Sequence, residues 1–147
     1  MPDNKARATA FWTDVFNAKD LDRADEFIAP GSVNHNALPG TPDGPEGLRA
    51  SFGRLWTGFP DMKFEIDTIL AEDNKVVCVG MMSGTHDGPF AGMPPSGRTF
   101  RTRHVHILTF DDAGLVTEHL AVRDDISQLK QIGALPESLG QPGQPRA

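Results

Sequence analysis

An aspartate, Asp124, stands at the end of an alternating stretch near the C-terminus, and five histidines precede it, two of them only two residues apart. Between Leu115 and Asp124 the residues Val116, Leu120, Val122 and Asp124 fall roughly on one side of a strand. An acid that continues an apolar row points into poorly solvated space. Desolvation there raises a carboxyl pKa and makes the carboxylate a better base near neutral pH. Asp124 or Asp125 also suits the N-cap of the short helix that follows, and the two roles are compatible if Asp125 is the cap. His104 and His106 share a strand face with Leu108 and Phe110. A neutral imidazole in such a place donates a hydrogen bond to a developing enolate oxygen or relays a proton. A structural, hydrogen-bonded role is the plain alternative. His-x-His is also a common metal-ligand pair, but the Glu that usually accompanies it is missing, since Phe110 and Asp111 stand there; no metal is assigned.

The other histidines sit differently. His35 lies in a loop between Asn34 and Asn36, where loop polar residues beside an apolar scaffold often bind ligands and an Asn-made turn is the alternative. His86 falls where a strand meets a Gly/Pro loop, either at a pocket mouth or in solvent. His119 alternates out of phase with Leu120 and Asp124, which predicts that it points away from the pocket. No Ser or Cys has the strand–turn–helix context of an activated nucleophile. The single cysteine, Cys78, sits in Val76-Val77-Cys78-Val79 and reads as a buried hydrophobe. Tyrosine is absent.

These residues must be held by elements that the periodicity outlines. Ala8, Phe11, Trp12, Val15 and Phe16 make one apolar face of a helix that Asp3 or Asn4 can cap. Asp20 can cap a short helix carrying Leu21, Ala24, Phe27 and Ile28, ended by Pro30 and Gly31. A loop over 31–44 follows. A third helix, from about Pro45 to Gly58, presents Leu48, Phe52, Leu55, Trp56 and Phe59 on one side. From Met62 the period becomes two, with Phe64, Ile66, Thr68 and Leu70 alternating against charged neighbours. Three further strands are expected over 76–85, 98–110 and 115–124. The loop 87–97 has three Pro and three Gly in eleven residues, and a turn lies at 111–114. A short helix, 125–132, precedes Gly133. The predicted fold is α+β: three N-terminal helices packed on a curved antiparallel four-stranded meander, then a short C-terminal helix. Residues 1–135 form one domain, and 136–147 a flexible tail.

A chain of 147 residues with 38% apolar and 23% charged residues can bury a core as one domain. Its net charge of −6, with no basic stripe, argues against nucleic acid and anionic membrane as partners. No signal-like or membrane-spanning stretch stands out, so the chain reads as cytoplasmic.

Three segments together resemble one family. Glu118-His119-Leu120-Ala121-Val122-Arg123-Asp124-Asp125, followed by Gln128-Leu129-Lys130-Gln131-Ile132-Gly133, is similar to the C-terminal signature of SnoaL-like polyketide cyclases. That signature reads Glu-His-Trp, three residues, Asp, then a helix ending Gln-Leu-Gly. The loop from Gly84 to Arg98 resembles the family's Gly-x-His-x-Gly-x-Phe-x-Gly-x-Pro-x-x-Gly segment, and Val33-Asn34-His35 its early loop. The resemblance implies a cone-shaped α+β barrel, shared with nuclear transport factor 2 and ketosteroid isomerase. It also implies a cofactor-free aldol-type cyclisation of a polyketide-like carbonyl compound. In that chemistry Asp124 is the general base and His106 or His104 steadies the enolate. His35, Asn36, His86, Trp56, Phe52, Phe64, Leu120 and Met93 are the expected substrate contacts. Leu120 departs from the usual Trp and changes the stacking surface. Alternatives are hydrolysis, isomerisation or dehydration by the same Asp/His pair, or ligand binding alone. The expected partners are a small apolar carbonyl compound and further copies of the chain, with Val77, Val79, Val105 and Ile107 as an apolar docking patch.

Overall fold

The computed structural model describes residues 3–140. Most of the expected tail, 141–147, lies outside the described residues, while 137–140 form a turn. Asp3 caps the first helix, α1 (Asn4–Ala10), by accepting from the Ala6 N–H at 3.1 Å. The helix continues as a π-helical stretch over Phe11–Asn17, with Ala18 N–H reaching back to Thr13 O and Asp20 N–H to Val15 O. Its buried face is Ala8, Phe11, Trp12, Val15 and Phe16, as the spacing predicts. A 3-10 turn over Leu21–Glu26 leads into β1 (Ile28–Asn34). Then come α2 (Gly44–Gly58), β2 (Lys63–Glu72), β3 (Lys75–Thr85), β4 (Thr99–Phe110), β5 (Val116–Arg123) and α3 (Asp125–Gln131).

The α+β class holds, but the sheet has five strands in the order β1-β5-β4-β3-β2 rather than four. The added strand is β1, which the sequence reading divided between the end of a helix and a loop. Pro30 and Gly31 misled because they are breakers in a helix or a central strand. An edge strand tolerates proline, whose missing N–H faces no partner. The pairing is also irregular: Ile28 sits against Val116 and Val33 against Glu118, with a register shift between. β1 runs parallel to β5, whereas β2 to β5 form the expected antiparallel meander.

Two bulges bend this sheet around the helices. One lies between Ile66 and Thr68 on β2, facing Gly80 and Val79. A side chain at Gly80 would meet the Glu65 carbonyl oxygen at 2.1 Å, so glycine lets β2 close over β3 there. The other lies in β5. Thr109 pairs with Glu118 but Phe110 pairs with Val116, which leaves Thr117 as the extra residue. The concave face buries Phe64, Val76, Cys78, Met82, Phe100, Leu108 and Phe110 against the helices. The outer face carries Leu70, Val77, Ile107 and Leu120 in one cross-strand row and Val79, Val105 and Val122 in the next. No helix among the described residues is long and apolar enough to cross a membrane.

The Gly/Pro loop is pinned to the end of α2. Asp87 and Gly88 N–H groups both lie 3.1 Å from the Gly58 carbonyl. A Cβ at Gly88 would sit 1.8 Å from the Thr57 carbonyl oxygen. Gly88→Ala is therefore expected to destabilise the fold by roughly 1–3 kcal/mol through backbone displacement. Gly53→Ala, where a Cβ within α2 meets nothing within 4 Å, should stabilise it by about 1 kcal/mol. Urea denaturation of the two variants checks both signs.

Candidate active site

A cavity of about 260 Å³ opens between the N-terminal helix, α2, the concave sheet face and α3. Its wall is mainly apolar, with Trp12, Phe16, Phe52, Leu55, Met62 and Met82 among the lining residues. On one side three imidazoles are joined end to end. His119 Nε2 lies 2.8 Å from His106 Nδ1, and His106 Nε2 lies 3.2 Å from His104 Nδ1. All three rings are buried and line the cavity.

The sheet register explains this chain. His104 and His106 share the inward face of β4, opposite Arg123 and Ala121. Leu108 pairs with His119, so His119 is the diagonal neighbour of His106, within reach of a ring-to-ring bond. Gly80 is the β3 residue beside His104 and offers no side chain to compete for space. Trp12 covers His106 at a centroid distance of 4.4 Å, and Phe64 meets it edge-on at 5.0 Å.

His119 was predicted to face away and does not. The Thr117 bulge reverses the alternation of β5 after Val116, so His119, Ala121 and Arg123 line the cavity while Leu120 and Val122 face out. The same slip alters the expectation for Asp124. Its side chain is exposed and caps α3, with Oδ1 accepting from Ser127 N–H at 3.0 Å and Oδ2 from Ser127 Oγ–H at 2.6 Å. Those two bonds hold its carboxyl below the usual carboxylate range, the opposite of the desolvated, strengthened base that the apolar row predicted. Asp124, not Asp125, is the cap; Asp125 reaches the cavity wall and lies 3.3 Å from Arg123.

The remaining expected contacts divide. Phe52 and Asn36 line the cavity. Asn36 grips the backbone of β5 from the side, its Oδ1 accepting from Ala121 N–H at 2.7 Å and its Nδ2 donating to Ala121 O at 2.9 Å. His35 faces outward and meets Glu118 at 3.0 Å, because its backbone N–H extends the β1–β5 pairing to His119 O and turns the ring away. His86 is fully buried outside the cavity wall, bonded to Ser96 Oγ at 2.8 Å, so it ties the two ends of the Gly/Pro loop together. Trp56 stacks behind Phe16 and Phe52, and Phe64 backs the His106 ring; both support the wall from behind. Met93 lies in the turn at the loop tip, whereas Phe90 and Ala91 of that loop reach the cavity. Leu120 is on the outer face. Sequence reasoning missed Arg123, Arg54 and Gln128, which also line the cavity. Gln128 was visible only as part of the helical signature.

Four residues of the cavity wall carry a buried polar atom with no hydrogen-bond partner among the described residues: Trp12 Nε1, Ser51 Oγ, His104 Nε2 and Gln128 Nε2. Each can donate, and a buried donor left unpaired costs about 1–3 kcal/mol. Such a set matches a ligand rich in carbonyl oxygens. Among the described residues no group of three or more His, Cys, Asp or Glu is arranged to hold a metal; the imidazole nitrogens face one another rather than a common point. Cys78 is buried and its thiol is pushed up to about 11 by that burial, so it is protonated at neutral pH.

Burial pushes the His104 and His119 imidazoles down to about 4, with the Arg123 charge adding to the effect. His106 is also driven well down by burial and by its two imidazole neighbours. The folded rings stay neutral where the unfolded chain, with histidine near 6.5, takes up protons. Their contribution to stability is intact above about pH 6.5 and is lost as the pH falls toward 4. The expected loss is up to about 1.4 kcal/mol per pH unit for each ring. Urea midpoints measured from pH 7 to pH 4.5 should fall steeply, and less steeply in His119→Gln; a flat profile would mean the folded rings accept protons.

The sequence matches the family described as SnoaL-like polyketide cyclase over residues 6–132. The nogalonic acid methyl ester cyclase of Streptomyces nogalater is 28% identical over 122 residues, covering 81% of this chain and 90% of that protein. The aklanonic acid methyl ester cyclase DnrD of Streptomyces peucetius is 28% identical over 124 residues, 82% of this chain and 84% of its own. Among solved structures, TsrD from Streptomyces laurentii superposes with a TM-score of 0.81 at 28% identity, over 92% of this chain and 99% of that one. With the cone-shaped α+β fold and an apolar cavity of this form in place, the match over most of its length makes this chain a member of the SnoaL-like polyketide cyclase family, an enzyme of the cyclase type.

Proposed function

We propose that the protein catalyses an aldol-type ring closure of a polyketide-like carbonyl compound, with His104 Nε2 as the group that meets the reacting centre. The observation that carries this reading is the orphaned His104 Nε2, buried in the cavity wall with three further unpaired donors, on Trp12, Ser51 and Gln128. Substrate carbonyl oxygens would pair with Ser51 and Gln128 and orient an acidic C–H toward His104. The enolate formed by proton removal develops in the field of Arg123, whose charge is close enough to His104 to depress its pKa. The enolate carbon then attacks a second carbonyl, and His104 returns the proton to the new alkoxide. Substrate acidity lets one base and a few donors suffice without a cofactor.

This reading moves the base from Asp124 to the histidines. Asp124 spends both carboxylate oxygens on Ser127 and is a weaker base for it. At the position of β5 that faces the cavity nearest His106 stands Ala121, which brings no acid. Nogalonic and aklanonic acid methyl esters, named for the relatives, are the first compounds to assay. A cyclase yields an isomer of unchanged mass. His104→Gln should lower kcat at least hundredfold, and Asp124→Asn less than about tenfold. The reverse order would return the base to Asp124, and a product heavier by one water would replace cyclisation with hydrolysis.

The outer-face row of Leu70, Val77, Ile107 and Leu120, flanked by Val79, Val105 and Val122, supports self-association as a dimer. Val105→Asp should shift the mass measured by light scattering to that of one chain. An unchanged mass would remove this face from the assembly.

A further inference from the structure

A second cavity, of about 240 Å³, lies on the far side of the imidazole chain from His104, under the loop between β1 and α2. His119 and Asn34 belong to the walls of both cavities. Ser32, Leu38, Leu48 and Asp43 are among its other lining residues. Asp43 stands at the N-cap of α2 but makes no side-chain capping bond. His119 therefore ends the chain in one cavity as His104 ends it in the other. His119 Nε2 is committed to His106, and Nδ1 carries no hydrogen bond among the described residues. The residue as a whole is 9% exposed.

The bonding pattern admits only two proton arrangements. Each ring-to-ring bond needs one proton, and three neutral rings hold three. If His119 donates through Nε2, His106 must also donate through Nε2, and His104 presents an Nε2–H donor to the substrate cavity. If instead His104 donates through Nδ1, His106 and His119 carry their protons on Nδ1, and His104 presents a bare Nε2 lone pair. Any mixed set places two protons, or none, in one bond.

We propose that His104, His106 and His119 form a proton relay between the two cavities, switching His104 Nε2 between base and donor. The relay rests on the reading that His104 meets the substrate. In the forward step the C–H proton moves to His104 Nε2 and its electron pair stays on the substrate as the enolate. The His104 Nδ1 proton moves to His106 Nε2, the His106 Nδ1 proton to His119 Nε2, and the His119 Nδ1 proton to solvent water at the second cavity. After the C–C bond forms, the alkoxide takes the His104 Nε2 proton, and the reverse shift draws one proton back from water at His119. No ring holds a charge at rest in either arrangement. That fits a buried site faced by Arg123 on β5, with Asp124 and Asp125 near His104 and His35 near His119. His119 is in this sense a positioning residue, acting through the two rings before it.

The test uses the intact protein and benzoylacetone, a 1,3-diketone, as the carbon-acid probe. Exchange of its C–H with deuterium from the solvent is followed by NMR, and ¹⁵N shifts report the three rings of the unmodified protein. The relay predicts catalysed exchange that His104→Gln abolishes. It predicts that His119→Phe slows exchange at least tenfold with KM within threefold, and that a curved dependence on solvent deuterium fraction becomes linear. It also predicts one shared tautomer for all three rings. Exchange lost in His104→Gln but intact in His119→Phe overturns the relay and leaves His104 as the base. No catalysed exchange by the wild type overturns the base reading and the relay together. If His119→Phe does not fold, the ring spectra decide, because opposite tautomers in adjacent rings contradict the relay.

Discussion

One extra residue in β5 determines which side chains meet the cavity. Thr117 bulges between the pairs Thr109–Glu118 and Phe110–Val116, and its hydroxyl donates to the Thr109 carbonyl at 3.3 Å. A strand without it would carry Val116, Leu120, Val122 and Asp124 inward. With it, the inward set becomes His119, Ala121 and Arg123, and the His119 ring comes within bonding distance of His106. The clamp of Asn36 on both polar groups of Ala121 then fixes the strand in that register. The pairing of β1 along its other edge does the same through His35 N–H and His119 O.

The imidazole chain follows from that register and from the cost of burying polar groups. Three rings inside an aromatic shell of Trp12 and Phe64 cannot remain charged without a large penalty. They remain neutral and satisfy one another, except at the His104 end, where Nε2 is buried without a partner. Trp12 Nε1, Ser51 Oγ, His104 Nε2 and Gln128 Nε2 have no protein partner among the described residues. A carbonyl-bearing ligand would recover that cost, so specificity and affinity share one origin. The helices serve this arrangement. The π-helical turn sets Trp12 over His106, α2 supplies Ser51 and Phe52, and α3 supplies Gln128 once Asp124 has started it.

Much of this was legible in the sequence. The helical faces of α1 and α2, the period-two strands and the shared face of His104 and His106 rest on local periodicity, which the structure keeps. The motif pieces from Gly84 to Arg98 and from Glu118 to Gly133 pointed to the family. Two features were not legible for one reason: both depend on pairing across strands. β1 hides behind Pro30 and Gly31 because only its edge position makes them tolerable. The β5 bulge has no marker in the sequence, since Thr117 is an ordinary strand residue. The error at the bulge carried directly to His119 and Asp124, which exchanged their expected sides. Capping by Asp124 had been visible as an alternative, and the helix that follows it was the better guide.

In the proposed mechanism, chemistry occurs at the cavity end of the histidine chain. A crystal structure with a bound 1,3-diketone or ring-closed product tests it most directly. Ligand oxygens are expected at about 3 Å from His104 Nε2 and the Gln128 amide, with Asp124 still bonded to Ser127. A ligand whose acidic carbon lies against the Asp124 carboxylate, with His104 Nε2 left unpaired, would contradict it.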